Sequence, residues 1–170
     1  MPLRATLIAV TSSWRRIGRA ISDMVQRTNR RDRSTDSAYP GDHHGQFTIS
    51  YDPHPDDIAD PGEVVWTWVP FEEDYTQGKD RPVLIVGREG RWLLAVPLTS
   101  KDHDTDGAAE ARAGRFWVDV GSGAWDRSQR ASEARVNRVL RVNPRAVRRI
   151  GERLDEQRFA AVAEGIRRHW

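Results

Sequence analysis

Arg81, Thr99 and Ser100 are the residues whose types and positions suggest chemistry. Arg81 opens a short β-branched run, Pro82 to Val86, and Thr99 with Ser100 closes another, Trp92 to Leu98. If the sheet carrying these runs curls so that their ends meet, a planar guanidinium fork and a hydroxyl would together grip a phosphate. His103, in Lys101-Asp102-His103-Asp104, is the nearest group able to shuttle a proton at neutral pH. A loop histidine between two acids is also simply a solvated one, whose charged form the acids favour. The plainer reading of the others is that Arg81 pairs with Glu72, Glu73 or Asp80 and that Thr99 caps a turn.

The elements that must position these groups follow from periodicity. Val64 to Val69 alternates Val64, Trp66 and Trp68 with Val65, Thr67 and Val69, the two-residue period of a strand packed on both faces. Pro82 to Val86 and Trp92 to Leu98 continue it as an antiparallel meander, with Gly87-Arg88-Glu89-Gly90 as the turn between them. Arg115 to Val120 has the same period. Asn143-Pro144 is a cap and first-turn pair that predicts a short helix through Arg149. Asp155 caps a final helix with the apolar stripe Phe159, Val162, Ala163 and Ile166. The expectation is a curled antiparallel sheet of about five or more strands closed by that helix. On such a sheet at most one of Trp66 and Trp68 is available to stack a base, since alternation buries one face.

The motifs PGEVVW, GKDRPVLIV and Pro-Leu-Thr-Ser, in this order, resemble the PemK/MazF family of toxin endoribonucleases. The resemblance continues through SEARVNRVLRV (Ser132 to Val142), similar to the family's late strand, and through Ile150-Gly151 with Leu154 before the last helix. It implies an SH3-like barrel over about residues 61–170 that cleaves single-stranded RNA without a metal or other cofactor, by attack of the 2′-hydroxyl on the adjacent phosphate. It further implies a homodimer restrained by a cognate antitoxin protein. By position in the motifs, Arg81 would neutralise charge on the phosphorane and Thr99 would hold a non-bridging oxygen. Gln77, Lys79, Ser100 and His103 are the accompanying candidates for binding substrate. The acidic turn Glu72-Glu73-Asp74 departs from what an RNA surface needs, because carboxylates repel phosphates. A noncatalytic SH3-like barrel that binds protein or nucleic acid is therefore the alternative.

Charge is segregated along the chain. Residues 1–33 hold eight arginines against two aspartates, residues 34–60 six aspartates and no lysine or arginine, and residues 111–170 fourteen arginines against seven acids. Basic ends offer a nucleic-acid surface, or pair internally with the acidic middle. Residues 1–33 read as a basic helical extension: Trp14, Ile17, Ile21, Met24 and Val25 follow helical spacing within Trp14 to Thr28. Residues 34–60 read as an acidic linker, with Gln46 to Tyr51 a possible edge strand. Absence of cysteine removes disulfides, thiolate zinc sites and a cysteine nucleophile. No run approaches the ~20 apolar residues of a membrane helix, and Leu7 to Val10 is too short for a secretory core, so a cytoplasmic location and no membrane partner are expected. Asp102 to Gly107 imitates a calcium loop, but Ala113 stands where its bidentate glutamate belongs. Asp42-His43-His44 and His54 with Asp56 and Asp57 could catch a metal, although scattered histidines in an acidic linker account for them as well.

Overall fold

Seven antiparallel strands form one curled sheet in the computed structural model, which describes residues 39–100 and 107–170. The strands are β1 (Glu63–Pro70), β2 (Gly78–Glu89), β3 (Trp92–Thr99), β4 (Trp117–Gly121), β5 (Ser132–Arg135), β6 (Leu140–Val142) and β7 (Arg149–Arg153). A short helix α1 (Gly107–Arg112) follows β3, and α2 (Glu156–His169) ends the chain. The strand order is β4-β5-β3-β2-β1-β7, with β6 also on β3. The curl comes from β3, whose first half pairs through Leu93–Ala95 with β6 and whose end pairs through Leu98 and Thr99 with β5.

Alternation puts apolar side chains on both faces. On one, Val64, Leu84, Val86, Leu94 and Val96 pack with Trp125 and the α2 stripe Phe159, Val162, Ala163 and Ile166. On the other, Val65, Val83, Ile85, Leu93 and Ala95 pack with Leu140 and Val142. Helix α2 starts where expected, the Asp155 carboxylate accepting from Arg158 N at 3.0 Å.

Several local expectations are corrected. The stretch from Ser132 to Val142 is two strands, because the chain turns at Asn137, whose side chain accepts from Phe116 N and donates to Gly114 O. The helix after Asn143 is a single 3-10 turn, Pro144–Ala146, because the following backbone is taken up as β7 on the edge of β1. Gly87 is a strand residue at a register shift of β2, and among the turn glycines only Gly90 has positive φ, at 55°. Gln46 to Tyr51 forms no strand. It lies against that shift, held by Ser50 N donating to Val86 O, and a Cβ on Gly87 would come within 2.5 Å of Thr48 O. Residues from Gly41 onward belong to the same compact unit as the sheet, with Asp42 and His43 buried, so the acidic segment after Pro40 is packed rather than a free connection. The helical reading of Trp14 to Thr28 and the loop Asp102 to Asp106 lie outside the described residues. Among the described residues no helix is long and apolar enough to cross a membrane.

Candidate functional site

Strand β2 begins at Gly78, four residues before the β-branched run, and this places Arg81 inside the strand rather than at its mouth. Its register on β1 pairs Lys79 with Val69 and Arg81 with Thr67, so both cations extend the row of Val83 and Ile85. On the other side Val83 pairs with Pro97. Two residues further along each strand are Arg81 and Thr99, which alternation places on the same face. The sheet splays there as β3 turns away to β5, and the gap is a cleft of about 550 Å³. Arg81, Lys79 and Thr99 all line it.

Arg81 is half-buried and makes no hydrogen bond or ion pair with any described residue. Burial, and then the charge of Arg138, pull its guanidinium below the usual arginine range. The expected carboxylate partners are engaged elsewhere or remain in solvent. Glu72 takes a two-pronged bond from Arg135, Nη1 to Oε2 at 2.7 Å and Nη2 to Oε1 at 3.1 Å. Asp80 is bound by Arg148. Asp74 accepts from Thr76 and Gln77, which hold its carboxyl below the usual range. Glu73 is exposed on the rim.

The remaining candidates are spread more widely. Lys79 is exposed in the cleft, and Ser100, partly exposed, follows Thr99 outside the lining. Gln77 is exposed and donates to Asp74 Oδ2 at 2.8 Å, away from the cleft wall. His103 lies outside the described residues. Trp66 donates its ring N–H to Trp125 O, whereas Trp68 is 38% exposed. The histidines suspected of metal binding have other work: His43 is buried with its Nε2 on Gly45 O and its ring against Trp170, and His54 bonds Asp60.

Sequence reasoning missed most of the cleft's second wall. Arg138 is 8% exposed and holds Asp42 through Nε at 2.8 Å, while its Nη2 donates to Pro70 O at 2.9 Å. Arg115, Arg135 and Trp117 complete the lining, with Glu110 of α1 among them. Five cationic side chains face three carboxylates in the cleft. Such an arrangement favours a polyanion provided the carboxylates are occupied, as Glu72 and Glu110 are.

A curled antiparallel sheet with one terminal helix thus carries, in a cationic cleft, an arginine without a partner among the described residues. Residues 60–170 match the family described as PemK-like, MazF-like toxin of type II toxin-antitoxin system, and the chain belongs to that family. Among solved structures it is similar to the Mycobacterium tuberculosis toxin MazF-mt6, at 19% identity and TM-score 0.42 over 63% of this chain and 94% of that one. It is also similar to a chain of the MazE-MazF crystal structure (Form-II) from Deinococcus radiodurans, at 17% identity and TM-score 0.44 over 65% of this chain and 94% of that one. No curated protein sequence matches the chain.

Proposed function

We propose that the protein is a sequence-selective, metal-independent endoribonuclease, the toxin of a type II toxin-antitoxin pair. It acts in the cytoplasm on single-stranded RNA as a homodimer and is held in check by a cognate antitoxin protein. The observation that carries this reading is Arg81, a half-buried cation left without a carboxylate among the described residues in a cleft of a toxin-family barrel. Holding an unpaired charge away from water is costly, and an anionic ligand removes that cost.

The nucleophile is the substrate's own, and side chains of the protein meet the charge that develops. The substrate's own 2′-hydroxyl gives its proton to water as its oxygen attacks the adjacent phosphorus, the bond to the 5′-oxygen breaks, that oxygen takes a proton from water, and a 2′,3′-cyclic phosphate and a 5′-hydroxyl result. Arg81 meets the charge that grows on the non-bridging oxygens, and its high proton affinity keeps it a donor throughout. Thr99 donates one hydrogen bond to the same phosphate, and Lys79, at the cleft's edge, steers the incoming strand.

The decisive experiment compares wild type with Arg81→Ala on a single-stranded RNA, with and without EDTA. The expected result is cleavage by wild type that persists in EDTA and is lost in the variant. An inert wild type points to the noncatalytic barrel, and loss of cleavage on chelation refutes the metal-independent reaction.

A further inference from the structure

Helix α1 is held against the sheet in an unusual way. None of its six residues is buried, and five of them are exposed. The side chain it turns inward is a carboxylate: Glu110 is 12% exposed. Three N–H donors converge on it. Arg115 donates Nε to Oε2 at 2.6 Å and Nη2 to Oε1 at 2.9 Å, and Trp117 donates its indole N–H to Oε2 at 3.0 Å. All three residues line the cleft that holds Arg81.

A guanidinium fork and an indole N–H aimed at two oxygens fit a phosphodiester as well as a carboxylate, since both present two acceptor oxygens in one plane. A helix with no buried apolar face has little hydrophobic energy keeping it in place. We propose that Arg115 and Trp117 form a second phosphate subsite, for a phosphate flanking the scissile one on the same RNA strand, and that Glu110 occupies it as an internal stand-in that the RNA displaces. This rests on the reading of the cleft as an RNA site. Displacement moves the Glu110 carboxylate to solvent with α1, while Arg115 and Trp117, anchored beside and on β4, stay on the cleft wall. The carboxylate thereby weakens binding of every strand and sets a threshold that a correctly bound RNA overcomes.

The test is binding of a short single-stranded 2′-deoxy oligonucleotide, which cannot be cleaved because it lacks the attacking hydroxyl, followed by fluorescence anisotropy. Glu110→Gln keeps the size of the side chain and removes its charge. It should tighten binding about tenfold, as expected for releasing one charge-assisted pair to a phosphate. The slope of log affinity against log salt should match wild type, because the same phosphate is contacted once Glu110 is displaced, and Arg115→Ala should flatten it by about 0.7, the increment for one phosphate contact on a single strand. Arg115→Ala should weaken binding and abolish the gain from Glu110→Gln in the double variant. Both variants should keep the wild-type unfolding midpoint to within a few degrees.

Unchanged or weaker binding by Glu110→Gln overturns the proposal, as does a gain that survives Arg115→Ala. So does an oligonucleotide that binds neither protein, or a gain seen for an acidic peptide and not for the oligonucleotide. Cleavage by wild type is read separately. An active enzyme with an indifferent Glu110→Gln refutes the subsite alone, and an inert enzyme with the expected binding gain refutes the proposed reaction alone.

Discussion

Arg81 and Arg138 lie close enough in one cleft for the charge of one to depress the proton affinity of the other, and among the described residues only Arg138 of the two has a carboxylate partner, Asp42, at 2.8 Å. Among the described residues the same local field thus contains a neutralised structural arginine and one with no carboxylate partner. That asymmetry separates what stabilises the fold from what is left for a ligand.

Arg81 should trade stability for activity. Replacing it with Met keeps much of the packing and removes a desolvated charge, so Arg81→Met should unfold at the wild-type temperature or higher. Its cleavage rate should fall about 100-fold or more, as for loss of one transition-state donor. Thermal melts beside RNA cleavage measure both, and a destabilised Arg81→Met would show that the guanidinium has a structural partner.

Thr99→Ala should cost less than Arg81→Ala. A neutral hydroxyl contributes about 1 kcal/mol net, or roughly fivefold in rate, and Ser100 is adjacent to replace it in part. Single-turnover cleavage ranks the two variants, and the reverse order would move the chemistry from Arg81 to the end of β3.

Asp42→Ala should destabilise the protein by about 3–5 kcal/mol, because it leaves the Arg138 charge buried without its partner. Side chains of both residues are under a tenth exposed. The double variant Asp42→Ala, Arg138→Met should recover much of the loss in a denaturant titration. By the same reasoning a chain starting at Tyr39 should melt well above one starting at Gly45, since the latter lacks Asp42 and the buried His43.

Glu63→Gln should stabilise the protein near neutral pH. Glu63 is 4% exposed, and desolvation, the largest cause, raises its carboxyl from the ordinary 4.5. A carboxyl raised in the folded state ionises first in the unfolded chain, so stability falls as pH rises through the interval above 4.5 and stays reduced at neutral pH. The glutamine removes this loss and still accepts from Asp60 N, which Glu63 Oε2 binds at 3.0 Å. Melting temperatures of the two proteins should converge below about pH 4 and diverge above it. A gain independent of pH would exclude ionisation as its cause.

The sequence by itself determined the longer strands and the closing helix, and marked Arg81 at the start of the second apolar run. These follow from periodicity: Val64 to Val69 and Trp92 to Leu98 alternate because both sheet faces are apolar, and the stripe from Phe159 to Ile166 repeats because one face of α2 is buried. Such patterns are local, and a reader needs only neighbouring residues to find them. Short elements were less legible, because three or four residues such as Leu140–Val142 are too few for a period to emerge.

Charge partnership was decided by the tertiary structure alone. Glu72 is held by Arg135 across 63 positions, and Asp42 by Arg138 across 96. With 25 arginines in the chain, composition offers each carboxylate many equivalent partners. The divergence of β3 between β6 and β5 selects among them by bringing the β1–β2 turn and the end of β5 to one cleft, whose Arg138 reaches Asp42 behind it. Coulomb attraction depends on distance and on access to water, neither of which is carried by position in the chain. The sequence therefore marks Arg81 as a candidate, and only the curl of the sheet makes it the arginine whose neighbours are already spoken for.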